Sequence, residues 1–162
     1  MNCLIWEAGI AAEINETGLT YEENAMIKAL EVLKISGMAV IADDSGLEIE
    51  YLDGAPGIIS ARFAGEGATD AERNAEILKR LEGVPFEDRK ARFVCAAVIV
   101  FPGGDKITAK GECSGYIALK PEGENGFGYD PIFFVPEKGV TMAQLDRTEK
   151  NRISHRAKAF MR

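Results

Sequence analysis

Apolar residues recur with helical spacing in two segments of the first half of the chain. Each segment follows a Thr-x-x-Glu motif, at residues 20–23 and 69–72. This motif is typical of a helix N-terminus, because each side chain can bind the other residue's backbone N–H group. We therefore predict one helix from residue 20 to about 36, ending at Gly37, and a second helix from residue 69 to about 81.

Runs of apolar and β-branched residues predict the strands. Residues 38–43, MAVIAD, predict a buried strand, and residues 47–52, LEIEYL, predict a second strand with partial alternation. Residues 91–101, ARFVCAAVIVF, predict a long core strand. The turn sequence PGGD at 102–105 then leads into residues 106–119, so these two strands are expected to form an antiparallel hairpin.

Helices alternating with strands, together with a hairpin, predict a single α/β domain over residues 1–162 with a mixed sheet. A Thr-x-x-Gln motif at 141–144 and the segment 147–162 predict further helix near the carboxyl end. No internal repeat, low-complexity tract or linker divides the chain, and its length is enough for one hydrophobic core.

Composition and charge narrow the functional classes. The chain is 46% apolar and 8% aromatic, as globular proteins are, and its net charge of −7 argues against binding a nucleic-acid polymer through a basic surface. The charge is uneven: residues 147–162 carry +5, which leaves −12 for the remainder. A basic segment beside an acidic body is usually a solvated helix face, but it could also be the cationic half of a polyanion site.

Cysteine use and hydropathy favour a cytoplasmic protein. Cys3, Cys95 and Cys113 are odd in number and show no CxxC spacing, so neither a disulfide framework nor a zinc site is indicated. The longest apolar run, 93–101, is far shorter than the ~20 residues that a membrane-spanning helix needs. The amino terminus also lacks the layout of a signal peptide.

Two adjacent aspartates, Asp43 and Asp44, lie at the end of the first predicted strand. Like charges repel one another, so a neighbouring pair is costly unless something offsets it. Carboxylates at the end of a buried strand suggest a metal site or a catalytic base. The alternative is an ordinary strand-to-turn junction, where aspartate is common.

The glycine-rich stretch GENGFGYDP, residues 123–131, is a second candidate site. Glycine allows backbone conformations that other residues resist and allows close approach to a ligand. Phe127 and Tyr129 are flat surfaces on which a nucleobase could stack. The alternative, which this stretch alone favours equally, is a hairpin whose aromatic residues simply enter the core.

The third candidate site surrounds His155, the single histidine of the chain. A lone histidine is more often structural than catalytic, and the chain has no serine or cysteine motif that would make it part of a hydrolase triad. Ser154 can cap a new helix, which would place His155 and Arg156 in its first turn, with Lys150 just before them. Such a cluster of donors suits a phosphate or a nucleobase edge.

Carboxylates for a metal, a glycine-aromatic loop for a base and a cationic cluster for phosphate together predict a magnesium–nucleotide site. Six motifs, in chain order, support this: ETGLTYEENAMIKA, ADDSGLEI, LDGAPGIISARFAG, ARFVCAAVIV, GENGFGYDPIFFVP and TEKNRISHRAKA. From about residue 13 to its end, the chain resembles the bacterial type of the inosine triphosphate pyrophosphatase family.

This resemblance implies Mg²⁺-dependent hydrolysis of ITP, dITP and XTP to the monophosphate and pyrophosphate. It also implies an elongated α/β fold, with a central mixed sheet and two lobes around a nucleotide cleft, and usually a homodimer. Partners would thus be purine nucleoside triphosphates, and neither a membrane nor a nucleic-acid polymer.

The resemblance also assigns roles to residues. Asp44 matches the general base that activates water and also a metal ligand, Glu16 matches a carboxylate near the metal, and Asp43 would support them. Asn15 stands where family members often have a second acid. The residues expected to bind substrate are Ser45, Phe127, Gly128, Tyr129, Asp130, Lys150, His155 and Arg156.

One part of the family pattern is absent from this sequence. Family members begin with a strand and a phosphate-binding T/S-x-N-x-x-K segment, whereas here the ETG motif already arrives at residues 16–18. We therefore expect that the first strand, its helix and a phosphate-binding lysine are missing. The alternative function is accordingly a truncated, weakly active or inactive member that binds nucleotide or acts only as an interaction subunit.

Overall fold

The computed structural model describes residues 14–161. The first helix, α1, covers Tyr21–Ser36. Its N-terminus is capped by Thr20, whose side chain accepts a hydrogen bond from the Glu23 backbone N–H (3.1 Å), while Glu23 in turn accepts from the Leu19 N–H (2.6 Å). The helix ends at Gly37, whose φ of 65° lies in the left-handed region that favours glycine. The boundaries predicted from local sequence are confirmed.

The second helix, α2, covers Asp70–Arg80, also as predicted. Both bonds of its capping box are present, because Glu72 and Thr69 each accept from the other's backbone N–H. The predicted Thr-x-x-Gln box at 141–144 is also complete, and there it starts only a short 3₁₀ turn, Met142–Gln144.

Among residues 14–161, five strands form one sheet in their chain order. Every pairing in the described part of the chain is antiparallel, including the predicted β2–β3 hairpin. A parallel neighbour, which the predicted mixed sheet requires, does not occur among residues 14–161. The segment containing α2 leaves β1 and enters β2 at the same end of the sheet, so it makes no crossover. The strands are β1 Val40–Ile49, β2 Lys90–Val100, β3 Lys106–Ile117, β4 Phe133–Val135 and β5 Val140–Thr141.

The first strand corrects the sequence analysis. Residues 38–43 and 47–52 were predicted as two strands, but β1 runs unbroken through both aspartates. Its pairing with β2 is continuous from Val40 opposite Val100 to Ile49 opposite Ala91, so the long neighbouring strand holds the acidic segment extended. Successive side chains of a strand point to opposite faces, and the two aspartates are therefore separated.

Helices cover both faces of this sheet. On one face, α1 packs its Ala25 and Ala29 against Val98 and Val100. On the other face, the short carboxyl-terminal helix lies on β2 and β3. The main core also lies on this second face. There Leu47, Ile49 and Phe93 pack with residues of α2 and of the β4–β5 segment.

The carboxyl-terminal segment forms two short helices, α3 at Arg147–Ile153 and α4 at His155–Phe160. Ser154 separates them in an extended conformation and caps α4, because its hydroxyl accepts from the Ala157 N–H (3.2 Å). Gly111 lets α4 approach β3, since a Cβ atom there would overlap the backbone of α4 at His155. No helix among residues 14–161 is long and apolar enough to cross a membrane.

Candidate functional site

A cleft of about 780 Å³ opens between β1, the glycine-rich loop 123–131 and the helices α3 and α4. It contains all of the residues that the sequence analysis expected to bind substrate, although they come from separate segments of the chain. These lining residues are Ser45, Phe127, Gly128, Tyr129, Asp130, Lys150, His155 and Arg156.

Asp130 closes the glycine-rich loop. Its carboxylate accepts a hydrogen bond from the Phe127 N–H (2.8 Å) and forms an ion pair with Lys150. Gly126 has a φ of 81°, and a Cβ atom there would overlap the Asp130 carboxylate, so only glycine fits at this position. Because Asp130 is 3% exposed and its Oδ2 atom binds both groups, its contribution to the cleft is to hold the loop and Lys150 in place.

Phe127 presents an open aromatic surface beside two cations. Its side chain is 63% exposed. The Lys150 ammonium lies 4.4 Å from the centre of the ring, and the Arg156 guanidinium lies 5.9 Å from it. A flat apolar ring flanked by hydrogen-bond donors is suited to stacking a nucleobase and binding its carbonyl oxygens.

Tyr129 has a different position from Phe127. It is 6% exposed and belongs to the main core, and its hydroxyl donates to the Ser60 carbonyl oxygen (2.7 Å). Burial raises the pKa of the Tyr129 phenol to about 12. Of the two aromatic residues singled out as stacking surfaces, only Phe127 offers a free face; the alternative of a ring entering the core holds for Tyr129.

The loop is also held by α2, which the sequence analysis did not connect with the site. Asp70 accepts a hydrogen bond from the Gly128 N–H (2.6 Å), and Asn74 donates to the Gly128 carbonyl oxygen (3.1 Å). Both backbone groups of the residue after Phe127 are therefore bound by one helix. The only sequence signal is that Asn74, a polar residue, falls on the buried side of α2.

His155 lies inside the cleft wall, stacked on Phe93 with ring centres 4.7 Å apart. Burial and the nearby charges of Arg156 and Lys150 lower the pKa of the imidazole to about 4. The ring is therefore neutral near pH 7 and carries one donor and one acceptor nitrogen. Its Nδ1 atom is buried and has no hydrogen-bond partner among residues 14–161.

Asp44 belongs to a separate cluster on the α1 face of β1. Lys28 contacts the carboxylates of both Asp44 (2.8 Å) and Glu16 (3.0 Å), and the Asn24 amide donates to Asp44 (3.3 Å). Burial raises the pKa of Asp44 and the charge of Glu16 adds to this, while Lys28 and Asn24 oppose it. A carboxyl group with a raised pKa is better matched to removing a proton from water near neutral pH.

Glu16 and Asp44 are the residues of this cluster that could hold a metal ion. Glu16 and Asp44 both contact one cation, the Lys28 ammonium, so the two carboxylates lie near each other. Among residues 14–161 no three His, Cys, Asp or Glu side chains are grouped as a metal site. Mg²⁺ commonly uses one or two carboxylates together with water and substrate phosphates, and the two carboxylates suit that pattern.

Asp43 does not join Asp44 and Glu16, and this corrects the grouping made from the sequence. Its side chain lies on the opposite face of β1, because neighbouring residues of a continuous strand alternate. There it accepts hydrogen bonds from Arg156 through Nε (3.1 Å) and Nη2 (2.9 Å).

Lys28 and Asn24 are further members of the site that the sequence analysis did not assign. A signal for them existed: they fall on the buried stripe of α1 with Ala25, Ala29 and Val32, where a lysine is costly unless it is paired. The predicted loss of an amino-terminal phosphate-binding segment concerns residues 1–13, which lie outside the described residues.

Comparison with known proteins decides the family. The sequence model of the Ham1 family matches residues 4–162. The chain belongs to the Ham1 family. The resemblance to inosine triphosphate pyrophosphatases drawn from six motifs is thereby confirmed, since the similar members of the family include proteins named dITP/XTP pyrophosphatase.

Relatives and solved structures of the Ham1 family match over most of the chain. The dITP/XTP pyrophosphatase of Bacillus licheniformis is 54% identical, covering 95% of this chain and 79% of the relative, and that of Bacillus subtilis is 52% identical, covering 95% and 78%. The structure of the Staphylococcus aureus Ham1 protein superposes with a TM-score of 0.89 at 46% identity, covering 97% of this chain and 81% of that one. The predicted α/β domain flanked by helices is thus the fold of Ham1 proteins.

Proposed function

We propose that this chain is a Mg²⁺-dependent pyrophosphatase that hydrolyses dITP, ITP and XTP to the monophosphate and pyrophosphate. The observation that carries the proposal is the arrangement around β1. The cleft with its exposed aromatic ring reaches Ser45 and Gly46. Asp44, the residue just before them, belongs to the cluster with Lys28 and Glu16. A nucleotide with its base on Phe127 could direct its phosphates across this strand to Asp44.

Base selection follows from the donors in the cleft. Hypoxanthine and xanthine carry a 6-oxo group, which can accept hydrogen bonds from the Arg156 guanidinium or from the N–H of neutral His155. Adenine presents an amino group at that position and would leave a buried donor unpaired, which costs about 1–3 kcal/mol. Guanine shares the 6-oxo group, and its exclusion requires a contact at the 2-amino position.

Hydrolysis requires a base and relief of charge repulsion. The Asp44 carboxylate accepts a proton from the water that attacks the α-phosphorus, and its raised pKa favours that transfer. Lys28 binds both carboxylates and is positioned to contact phosphate oxygens beside them. A magnesium ion held by Glu16 and Asp44 would neutralise part of the triphosphate charge.

The alternative of an inactive remnant rests on the expected loss of a phosphate-binding motif, which concerns residues 1–13, outside the described residues. No observation on the described residues favours it. Lys150, His155 and Arg156 line the cleft, and Asp44 pairs with Lys28 on the other face of β1. The magnesium requirement, the homodimer and a cytoplasmic location remain predictions. Sedimentation of the purified chain at several concentrations tests the homodimer, which requires twice the 17.6 kDa of one chain.

Substrate and product analysis tests the proposed function. The purified chain would be incubated with Mg²⁺ and dITP, XTP, dATP or dGTP, and nucleotides, pyrophosphate and orthophosphate would be separated. We expect monophosphate and pyrophosphate from dITP and XTP, and a loss of at least 100-fold in rate for Asp44→Asn with an unchanged melting temperature or a higher one. Turnover of dATP at the same rate as dITP, or Asp44→Asn turnover like wild type, would contradict the assignment.

A further inference from the structure

Asp43 connects β1 with Arg156, a residue that lines the cleft beside Phe127. Its Oδ2 atom accepts two hydrogen bonds from Arg156, and the hydroxyl of Ser45 donates to the same atom (3.2 Å). The Cys95 thiol lies 3.7 Å from it. The Asp43 side chain is 19% exposed, whereas that of Arg156 is 44% exposed, so a largely buried carboxylate holds a partly exposed guanidinium.

This contact determines where the Arg156 guanidinium lies. A free arginine side chain samples many rotamers, and ordering one on binding weakens the binding by the entropy that is lost. With Nε and Nη2 both bound to Asp43, the guanidinium is held 5.9 Å from the centre of the Phe127 ring. An arginine that is ordered before the ligand arrives does not incur that cost when it binds a base.

The same geometry separates Asp43 from the two carboxylates proposed to hold Mg²⁺. The carboxylates that share a cation, Glu16 and Asp44, lie on the α1 face, and Asp43 lies on the α4 face. Its negative charge is already matched by Arg156. The adjacency of Asp43 and Asp44 in sequence therefore does not make them one site.

We propose that Asp43 is a positioning residue for nucleobase recognition: it holds Arg156 beside Phe127 for the 6-oxo group of the purine and does not bind the metal. This inference rests on the proposed function, because it assumes that a 6-oxo purine occupies the cleft. The competing explanation is that the Asp43–Arg156 pair only fastens α4 to β1.

Binding of monophosphates without metal tests the proposal apart from catalysis. Dissociation constants for IMP and AMP would be measured by calorimetry for wild type, Asp43→Ala, Asp43→Asn, Arg156→Ala and the Asp43→Ala/Arg156→Ala pair. We expect Asp43→Ala to weaken IMP binding about 3- to 10-fold with little change for AMP. Asp43→Asn keeps an acceptor and should recover part of the loss, and Asp43→Ala should have no further effect once Arg156 is absent.

The Mg²⁺ concentration for half-maximal hydrolysis of dITP provides the second readout. We expect Asp43→Ala and Asp43→Asn to leave it unchanged. The matched control is Glu48→Ala, which removes another β1 carboxylate paired with an arginine, Arg92, outside the cleft. It should alter neither base preference nor Mg²⁺ dependence.

Each contrary outcome identifies a different error. A several-fold shift in Mg²⁺ dependence with unchanged IMP preference would make Asp43 a metal residue. Equal loss of IMP and AMP binding in both Asp43 variants, with a lower melting temperature, would make the pair structural. A wild-type chain that binds IMP and AMP equally well would overturn the proposed function, and this inference with it.

Discussion

Replacing Lys28 with methionine tests the buried cluster most severely, because the change removes one charge and keeps nearly the same length. The Lys28 side chain is 8% exposed and that of Asp44 is 11% exposed, while Glu16 is 33% exposed. Without Lys28, Asp44 keeps one hydrogen-bond partner among the described residues, Asn24 at 3.3 Å. A buried carboxylate would then have no cation to balance it.

The expected cost follows from this geometry. Breaking a buried ion pair by removing one partner typically costs about 3–5 kcal/mol. Methionine recovers some apolar burial and Glu16 is partly hydrated, so we expect Lys28→Met to lower the free energy of unfolding by about 3 kcal/mol at pH 7.5. For a chain of this size that corresponds to a fall of roughly 6–12 °C in melting temperature.

The loss should depend on pH in a defined direction. Burial and Glu16 already raise the pKa of Asp44, and removal of Lys28 raises it further. When the pKa of a carboxyl group is higher in the folded state than in the unfolded state, its protonation stabilises the folded state. The deficit of Lys28→Met should therefore shrink as pH falls from 7.5 towards 5.

Urea unfolding at pH 7.5 and pH 5.0 would measure this for wild type, Lys28→Met, Asp44→Asn and the double variant. The double variant should recover most of the loss, because a neutral asparagine needs no cation. A deficit below about 1 kcal/mol, or one that is the same at both pH values and in both backgrounds, would refute the reasoning.

Three further predictions concern the cleft. The pKa of His155 is lowered to about 4 in the folded state, so on acidification the unfolded state binds the proton first and is favoured. The free energy of unfolding therefore falls between pH 7 and pH 5, and this fall should be about 2 kcal/mol smaller in His155→Gln than in wild type. Asn74→Ala should raise KM for dITP several-fold more than it lowers kcat, because it frees the Gly128 carbonyl oxygen and loosens the Phe127 loop; proportional losses would count against that. Gly111→Ala should lower the melting temperature and the activity together, since its Cβ meets the backbone of α4, whereas Gly103→Ala, with open space around it, should change neither.

Local sequence predicted the helices well because their signals are local. The capping boxes at 20–23 and 69–72 determine where α1 and α2 begin, and both helices start where predicted. The extent of β1 depends on β2, a partner that is distant in sequence. Their continuous pairing carries the strand through an acidic segment that predicts a turn in isolation.

In the candidate site, too, local sequence predicted some features, and others depend on contacts between distant segments. Six motifs predicted the residues that line one cleft, yet the sequence could not tell Phe127, which is exposed, from Tyr129, which is buried and bonded to Ser60. The predicted grouping of Asp43 with Asp44 is wrong because a continuous strand places neighbouring side chains on opposite faces. That separation could be predicted only after the strand was known to continue.

Hydrolysis of dITP in ¹⁸O-labelled water tests the central claim most directly, namely that Asp44 activates a water that attacks the α-phosphorus. Mass analysis would locate the label after a single turnover with Mg²⁺. The label should appear in dIMP, with unlabelled pyrophosphate as the other product, and its rate of appearance should fall at least 100-fold in Asp44→Asn. Label in pyrophosphate, or release of orthophosphate as the first product, would contradict the account.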